Sequence, residues 1–352
     1  MSLFNPLNYV LNAFSPSKFA IDLGTANTIV YQAGKGIVLD QPSIVALKNE
    51  SGILMPCAFG DEAKLMLGRT PANIVAIRPL KDGVIADFRA AEEMIKHFIS
   101  CVKQSNVFIK PTIITCVPST STSVERRAIQ DAVESAGARE SFLIEEPMAA
   151  AIGAGLKVTE PSGSMVVDIG GGTTEIAVLS LGGVVYGNSL RIGGDKMDDA
   201  IVSYIKKRFN LYIGDYTAEK VKKEIGCALL LPGQENVSMK VRGRDVIDGI
   251  PKEVVITQGH IVEALSECIV KMVEAIKLAL ESTPPELSAD IVEKGIMLTG
   301  GGALLRNLNV AIETATGLTV HVAENPLHCV ANGSGFVLDN MEIYKNILFR
   351  QE

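Results

Sequence analysis

The chain has 352 residues, 47% of them hydrophobic and 21% charged. That apolar content offsets the entropy of ordering a chain and excludes wholesale disorder, and at the usual ~150 residues per domain the length predicts two domains. With 33 Lys and Arg against 40 Asp and Glu, the net charge is −7, the wrong sign for neutralising phosphates over a broad surface, so no nucleic-acid partner is expected. Six cysteines (Cys57, Cys101, Cys116, Cys227, Cys268 and Cys329) include no Cys-x-x-Cys pair. They fit neither a zinc site nor a disulfide framework and read as buried thiols in a reducing cytosol. No apolar run reaches the roughly 18 residues of a membrane span, and the start lacks a signal peptide's basic residues and cleavage site. A cytoplasmic protein is expected.

In the first segment Leu3, Phe4, Leu7, Val10, Leu11 and Phe14 recur at steps of three and four, one face of a short helix. The strip reads either as packing on the body or as an interfacial anchor lying in a membrane surface. With no charged side chain before Lys18, such an anchor depends on apolar burial.

One long-range repeat organises the rest. Phe19-Ala-Ile-Asp22-Leu-Gly24-Thr25-Ala-Asn27-Thr28 echoes Met165-Val-Val-Asp168-Ile-Gly170-Gly171-Gly172-Thr173-Thr174, with the aspartates 146 residues apart. Each copy predicts a β-hairpin: an apolar strand ending in Asp, a Gly/Thr turn, then a β-rich run. Between and beyond them, strands alternate with helices. Thr112 to Val117 predicts a strand, Thr122 to Glu125 a capping box opening a helix, Phe142 to Ile144 a strand, and Pro147 the first turn of a helix. Thr217 is placed as the cap of a helix, Gly295 to Thr299 as a strand, and Leu304 to Thr314 as a helix. This is an α/β class: a duplicated domain with an insertion in each copy. The expected divisions are an N-terminal segment 1–18, lobe I over 19–155 with an inserted subdomain at about 36–86, lobe II over 156–340 with one at about 192–251, and a tail 341–352.

A Gly/Thr turn after a strand lets backbone N–H groups approach phosphate oxygens, and the hydroxyls of Thr173 and Thr174 can add donors. Asp22 and Asp168, at strand ends, are placed to hold Mg²⁺ through its waters. A nucleotide with Mg²⁺ between the lobes follows. The Thr299-Gly-Gly-Gly-Ala-Leu304 cluster can bring flat backbone to an adenine. Glu219, Lys220 and Lys222 on the helix after Thr217 either reach a ribose and base or form a solvated face of i,i+4 ion pairs. Gly193-Gly194-Asp195 is a further candidate turn. Glu146, at a strand end before Pro147, can orient or deprotonate the water that attacks a γ-phosphate, with Thr173 as a second positioning group; Glu145 is the competing carboxylate. No Walker, Rossmann or Gly-x-Ser-x-Gly motif is present, which removes the main supports for hydrolase and dehydrogenase readings.

These residues resemble the superfamily of actins, sugar kinases and ATP-dependent chaperones, and within it the MreB-like bacterial actins. The matches are Ile21 to Thr28, Gly68 to Pro71, Ile77 to Asp87, Ile144 to Gly155, Val167 to Glu175 and Leu298 to Arg306, the run Ile77 to Asp87 being the family-specific one. The resemblance implies an actin-like, ribonuclease H-like fold with an ATP cleft between two lobes. It maps the phosphate turns to Thr25, Ala26 and Asn27 and to Gly171, Gly172 and Thr173. Nucleoside contacts map to Glu219, Lys220, Val221 and Lys222 and to Gly301, Gly302, Ala303 and Leu304, and the catalytic pair to Glu146 and Thr173. It further implies an ATPase that polymerises into homopolymer filaments of paired protofilaments at the inner face of the cytoplasmic membrane, where they organise peptidoglycan synthesis with membrane proteins of the elongation machinery. The membrane-facing residues would be Leu3, Phe4, Leu7, Leu11 and Phe14, or a loop at Val107, Phe108 and Ile109. A small-molecule kinase or a plasmid-segregation actin of the same superfamily is the alternative. A chaperone is disfavoured, since only 17 residues follow Gly335.

Overall fold

The computed structural model describes residues 17–103, 110–233 and 237–351; the expected membrane residues Leu3, Phe4, Leu7, Leu11, Phe14, Val107 and Phe108 lie outside them. Two compact units partition the chain. Unit 1 takes the described residues of Met1–Val117, Ser121–Glu145 and Ala331–Glu352, and unit 2 takes Pro118–Thr120 and Glu146–Val330.

In unit 1, β1 (Lys18–Leu23), β2 (Asn27–Gln32) and β3 (Gly36–Pro42) run as an antiparallel meander. A small layer follows, built from β4 (Val45–Glu50), β5 (Ile53–Phe59), α1 (Gly60–Met66) and β6 (Ile74–Ile77) around Ile44, Ala46, Ala58 and Ala63. The hairpin of β7 (Leu80–Lys81) and β8 (Val84–Ile85) leads into α2 (Phe88–Val102), whose N-terminus is capped by Asp87 accepting from the Ala90 N–H at 3.0 Å. β9 (Thr112–Val117) is buried at every position, as its unbroken run of apolar and β-branched residues demands of a central strand. α3 (Ser123–Ser135) opens on the expected capping box: Thr122 accepts from the Glu125 N–H at 3.2 Å, and Glu125 accepts from the Thr122 N–H at 2.7 Å. β10 (Glu140–Glu145) completes a sheet of order β10-β9-β1-β2-β3. Phe19, Ile21, Ile113 and Leu143 of this sheet meet Met94, Ile95 and Phe98 of α2 and Ile129 and Val133 of α3 in one core.

Unit 2 begins with α4 (Glu146–Gly153) and the meander β11 (Ser164–Ile169), β12 (Thr174–Ser180) and β13 (Gly183–Leu190). Next come α5 (Gly194–Phe209), β14 (Leu211–Tyr212), α6 (Asp215–Ile225), β15 (Ser238–Asp245), β16 (Pro251–Thr257) and the long α7 (Gln258–Glu281). The unit ends with α8 (Pro285–Lys294), β17 (Ile296–Thr299), α9 (Leu308–Thr316), β18 (Val320–Val322) and the start of α10 (Cys329–Asp339). Its main sheet runs β13-β12-β11-β17-β18, and β14-β15-β16 form a second one. Strand for strand and direction for direction, β13-β12-β11-β17-β18 repeats β3-β2-β1-β9-β10. The register agrees as well: Asp22 lies opposite Ile29 and Asp168 opposite Glu175, each pair seven residues apart. The sequence echo is therefore a duplicated topology.

Several expected boundaries move. β3 pairs with β2 from Gln32↔Gly36 to Asn27↔Pro42, so the first insertion starts after Pro42 rather than at about 36. β16 carries the second to Thr257. α4 packs on β11 and β12 and buries Met148, Ala149, Ala150 and Ala151, which places it in unit 2 rather than at the end of lobe I. The expected tail packs back over its described residues, 341–351: Leu143 and Phe349 exchange backbone bonds of 2.8 and 3.1 Å along the β10 edge, and Arg126 lies 4.9 Å over the Phe349 ring. This covers a sheet edge that would otherwise offer unpaired backbone. Asn307 adopts a left-handed φ of 59° and donates from Nδ2 to the Leu229 carbonyl at 2.7 Å, so α9 starts at Leu308, not Leu304. α6 begins after Gly214, two residues before Thr217. All six cysteines are free, with Cys57 and Cys101 exposed rather than buried. Among the described residues no helix is long and apolar enough to cross a membrane.

Candidate functional site

In unit 1 the β1–β2 turn is held from behind. Ser43, fully buried, donates to the Gly24 carbonyl at 2.6 Å and shares a 2.9 Å bond with the Thr28 hydroxyl, while its N–H reaches the Ala26 carbonyl at 2.9 Å. A Cβ on Gly24 would lie 2.7 Å from the Asn27 carbonyl oxygen, so glycine is a steric requirement of the turn. The Thr25 hydroxyl accepts from the Gly83 N–H at 3.1 Å, at the tip of the β7–β8 hairpin, and Asn27 donates to Asp40 at 2.8 Å. Both side chains are thus tied to neighbours within the unit. Asp22, at the end of β1, is half-buried.

In unit 2 the β11–β12 turn is closed by the Gly170 N–H on the Thr173 carbonyl at 2.9 Å. The start of α5 backs it: the Gly194 N–H reaches the Gly170 carbonyl at 3.0 Å and the Asp195 N–H the Gly171 carbonyl at 2.8 Å. Gly193-Gly194-Asp195 therefore backs the β11–β12 turn. The Thr174 hydroxyl is buried and donates to the Ile192 carbonyl at 2.6 Å, which removes it from the expected donor set; Thr173, also in the turn, is buried as well. Asp168 accepts on Oδ1 from the Thr299 hydroxyl at 2.7 Å, and burial pushes its carboxyl up to about 6 against that bond. Glu175 is fully buried and accepts from Ser119 at 3.0 Å and from Ser189; burial raises its pKa above the usual carboxylate range.

The expected nucleoside contacts divide. On α6, Val221 is fully buried in the core, so its side chain cannot touch a ligand. Glu219 pairs with Lys223 at 2.7 Å and Lys220 with Glu224 at 3.7 Å, the i,i+4 pattern of a helix face. Lys222 donates to the Gly194 carbonyl at 2.7 Å and to Asp198 at 2.8 Å. The glycines after β17 have a packing reason of their own. A Cβ on Gly302 would lie 2.2 Å from Ile169 Cγ2, and Gly300, at φ 77°, would meet the Ile169 carbonyl oxygen at 2.4 Å. Gly301 packs on Leu327, Ala303 is buried and Leu304 is exposed. The Arg306 guanidinium donates to the Glu224 carbonyl at 3.2 Å, and the Ala228 N–H to the Arg306 carbonyl at 2.8 Å, tying this loop to the end of α6.

The two adjacent carboxylates separate at a unit boundary. Glu145 ends β10 in unit 1 and lies 3.5 Å from Arg126; burial raises its carboxyl pKa, with Arg126 opposing. Glu146 is the first residue of α4 in unit 2 and is half-buried.

A family model described as MreB/Mbl protein matches residues 16–346. The chain belongs to the MreB/Mbl family. It is 53% identical over 337 residues to the cell shape-determining protein MreB of Escherichia coli (strain K12), covering 95% of this chain and 96% of that one. It is 50% identical over 322 residues to the cell shape-determining protein Mbl of Bacillus subtilis (strain 168), covering 92% and 96%. Among solved structures it is similar to MreB 5 of Spiroplasma citri bound to AMPPNP, with a TM-score of 0.88, 37% identity and coverage of 95% and 98%. The fold of this MreB/Mbl chain is accordingly actin-like. Three residues around its turns were not singled out by sequence: Ser43, Glu175 and Asp198. Glu175 ends the matched run Val167 to Glu175, but burial, the property that distinguishes it, is invisible in a motif; Ser43 and Asp198 carry no local signal.

Proposed function

We propose that this chain is an ATP-binding actin homologue whose ATP hydrolysis times the turnover of its own filaments, and that these filaments, at the inner face of the cytoplasmic membrane, control cell shape by organising peptidoglycan synthesis. The observation that carries the nucleotide part is the hairpin that recurs in both units in one register, an Asp followed by a glycine-bearing turn. The AMPPNP held by the similar MreB 5 and the cell-shape role named for the E. coli relative support it.

In this reading backbone N–H groups of Thr25, Ala26 and Asn27 and of Gly171, Gly172 and Thr173 receive phosphate oxygens. Glu219, Lys220 and Lys222 and the backbone of Gly301 to Leu304 receive the nucleoside. Water attacks the γ-phosphorus and ADP leaves; the Glu146 carboxylate orients that water and takes its proton, with the Thr173 hydroxyl as second positioning group. Asp22 and Asp168 would hold Mg²⁺ through its waters. Two hard carboxylates suit an ion that keeps most of its hydration, and Thr299 engages only Oδ1 of Asp168; the ion would neutralise phosphate charge. Paired protofilaments would bring many copies of the Leu3, Phe4, Leu7, Leu11 and Phe14 strip to one membrane, so weak anchors add as avidity, and the partners there would be membrane proteins of the elongation machinery.

The test uses the purified full chain with ATP and Mg²⁺, scored for pelleting, phosphate release and co-sedimentation with anionic vesicles. Glu146→Ala should keep ATP binding and slow phosphate release about 10²-fold, and deleting residues 1–14 should weaken vesicle binding. No pelleting under any lipid condition would sink the filament reading, and unchanged release would remove Glu146 from the mechanism.

A further inference from the structure

We infer that Asp198 is a positioning residue for the phosphate turn of unit 2, acting through Lys222 on the first turn of α5. The inference rests on the nucleotide reading above and goes beyond it.

A peptide unit is planar, with its C=O and N–H pointing in opposite directions. The Gly170 carbonyl shares a plane with the Gly171 N–H, and the Gly171 carbonyl with the Gly172 N–H. Whatever holds those carbonyls aims those N–H groups. The holders are the N–H groups of Gly194 and Asp195, at 3.0 and 2.8 Å. They are themselves fixed from α6, where the Lys222 ammonium donates to the Gly194 carbonyl at 2.7 Å and to Asp198 Oδ2 at 2.8 Å. Asp198 lies one helical turn past Gly194 and grips the same ammonium that grips the Gly194 carbonyl, so Lys222 is clamped across the first turn of α5. Both side chains are largely buried, at 16% and 13% exposure. The clamp carries a cost: Asp198 Oδ1 is buried without a hydrogen-bond partner. Burying a carboxylate with one oxygen unsatisfied is a poor source of stability, and what this one secures is the placement of Lys222. The nucleoside helix and the phosphate turn are thereby wired through one ammonium.

Two readouts test this. In hydrogen exchange on nucleotide-free protein, Asp198→Asn should speed exchange of the Gly194 and Asp195 amides about tenfold or more, while the later turns of α5, buried at Ile201 and Ile205, exchange as before. In steady-state kinetics the same variant should lower kcat at least about tenfold. Lys222→Met should match the kcat loss, and the double variant should be no worse than the worse single one, the signature of residues acting as one unit. Unchanged exchange at those two amides overturns the inference, whatever happens with ATP. Additive kcat losses overturn it too, since Lys222 and Asp198 would then act separately. If the unaltered protein fails to turn over ATP while the amides still respond, the nucleotide reading falls and the hold on the turn stands.

Discussion

Alanine at Gly193 would place a Cβ 2.6 Å from the Gly171 carbonyl oxygen and 2.7 Å from that of Gly170. Gly193 has φ −147°, extended backbone open to any residue, so the penalty is steric and falls on the phosphate turn. To reach even 3.0 Å, below which real Cβ contacts are essentially never found, the Gly171 carbonyl must retreat by 3.0 − 2.6 = 0.4 Å. Neither oxygen is the end of a flexible side chain, so the backbone itself must yield. Overpacking of this kind costs about 1–3 kcal/mol. The retreat also stretches the bonds from the Gly194 and Asp195 N–H groups, now 3.0 and 2.8 Å; each is worth about 1 kcal/mol, and weakening both by about half costs about 1 kcal/mol in all. Gly193→Ala should therefore lower unfolding free energy by about 2–4 kcal/mol. Where the strain is released by moving the turn instead, ATP affinity should fall about tenfold per 1.4 kcal/mol. The assay is denaturant unfolding followed by circular dichroism, paired with a fluorescent-nucleotide titration. Gly214→Ala is the control, because a Cβ there meets nothing within 4 Å. If the two variants behave alike, the α5 start does not buttress the turn and the reasoning fails.

Other consequences are open to the same measurements. Ser43→Ala strips the buried donor to the Gly24 carbonyl and the acceptor of the Thr28 hydroxyl and should cost about 1–3 kcal/mol; an unmoved unfolding midpoint would mean that the first turn holds itself. Phe349→Ala removes a ring packed on the unit 1 core beneath Arg126 and should cost about 1–3 kcal/mol, with faster proteolysis after Phe336. Wild-type cleavage rates would show the returning segment to be dispensable. Burial pushes Asp198 up to about 6 in spite of Lys222. The folded state thus holds this proton more tightly than the unfolded chain, and the stability it contributes is present at low pH and lost as pH rises through about 6. From pH 5 to 7.5 wild type should lose about 1 kcal/mol relative to Asp198→Asn; parallel stability curves would place Asp198 at an ordinary carboxylate pKa.

Much of the architecture was readable because it is local. The capping box at Thr122 needs only Glu125 three residues on, β9 announces itself by an unbroken β-branched run, and each Asp-and-glycine hairpin is written in about ten consecutive residues. The repeat then made the duplicated topology readable, since two copies of one pattern predict two copies of one sheet. Local pattern misleads where a partner lies far along the chain. Val221 matches a nucleoside motif yet packs in the core. Thr174 follows Thr173 in the phosphate turn yet turns its hydroxyl to Ile192. Gly300 to Gly302 look like a ligand-facing turn, and the close approach of Ile169 requires two of the three glycines regardless of ligand.

By itself the sequence determined the class, the two hairpins and their acidic strand ends, because periodicity, capping and turn chemistry act between neighbours. Only the tertiary structure decided that Glu145 and Glu146 part into different units, that Gly193 backs the β11–β12 turn, and that Lys222 answers to Asp198, 24 residues away. Those outcomes depend on which distant carbonyl, methyl or carboxylate arrives within about 3 Å, and that is set by packing, not by pattern.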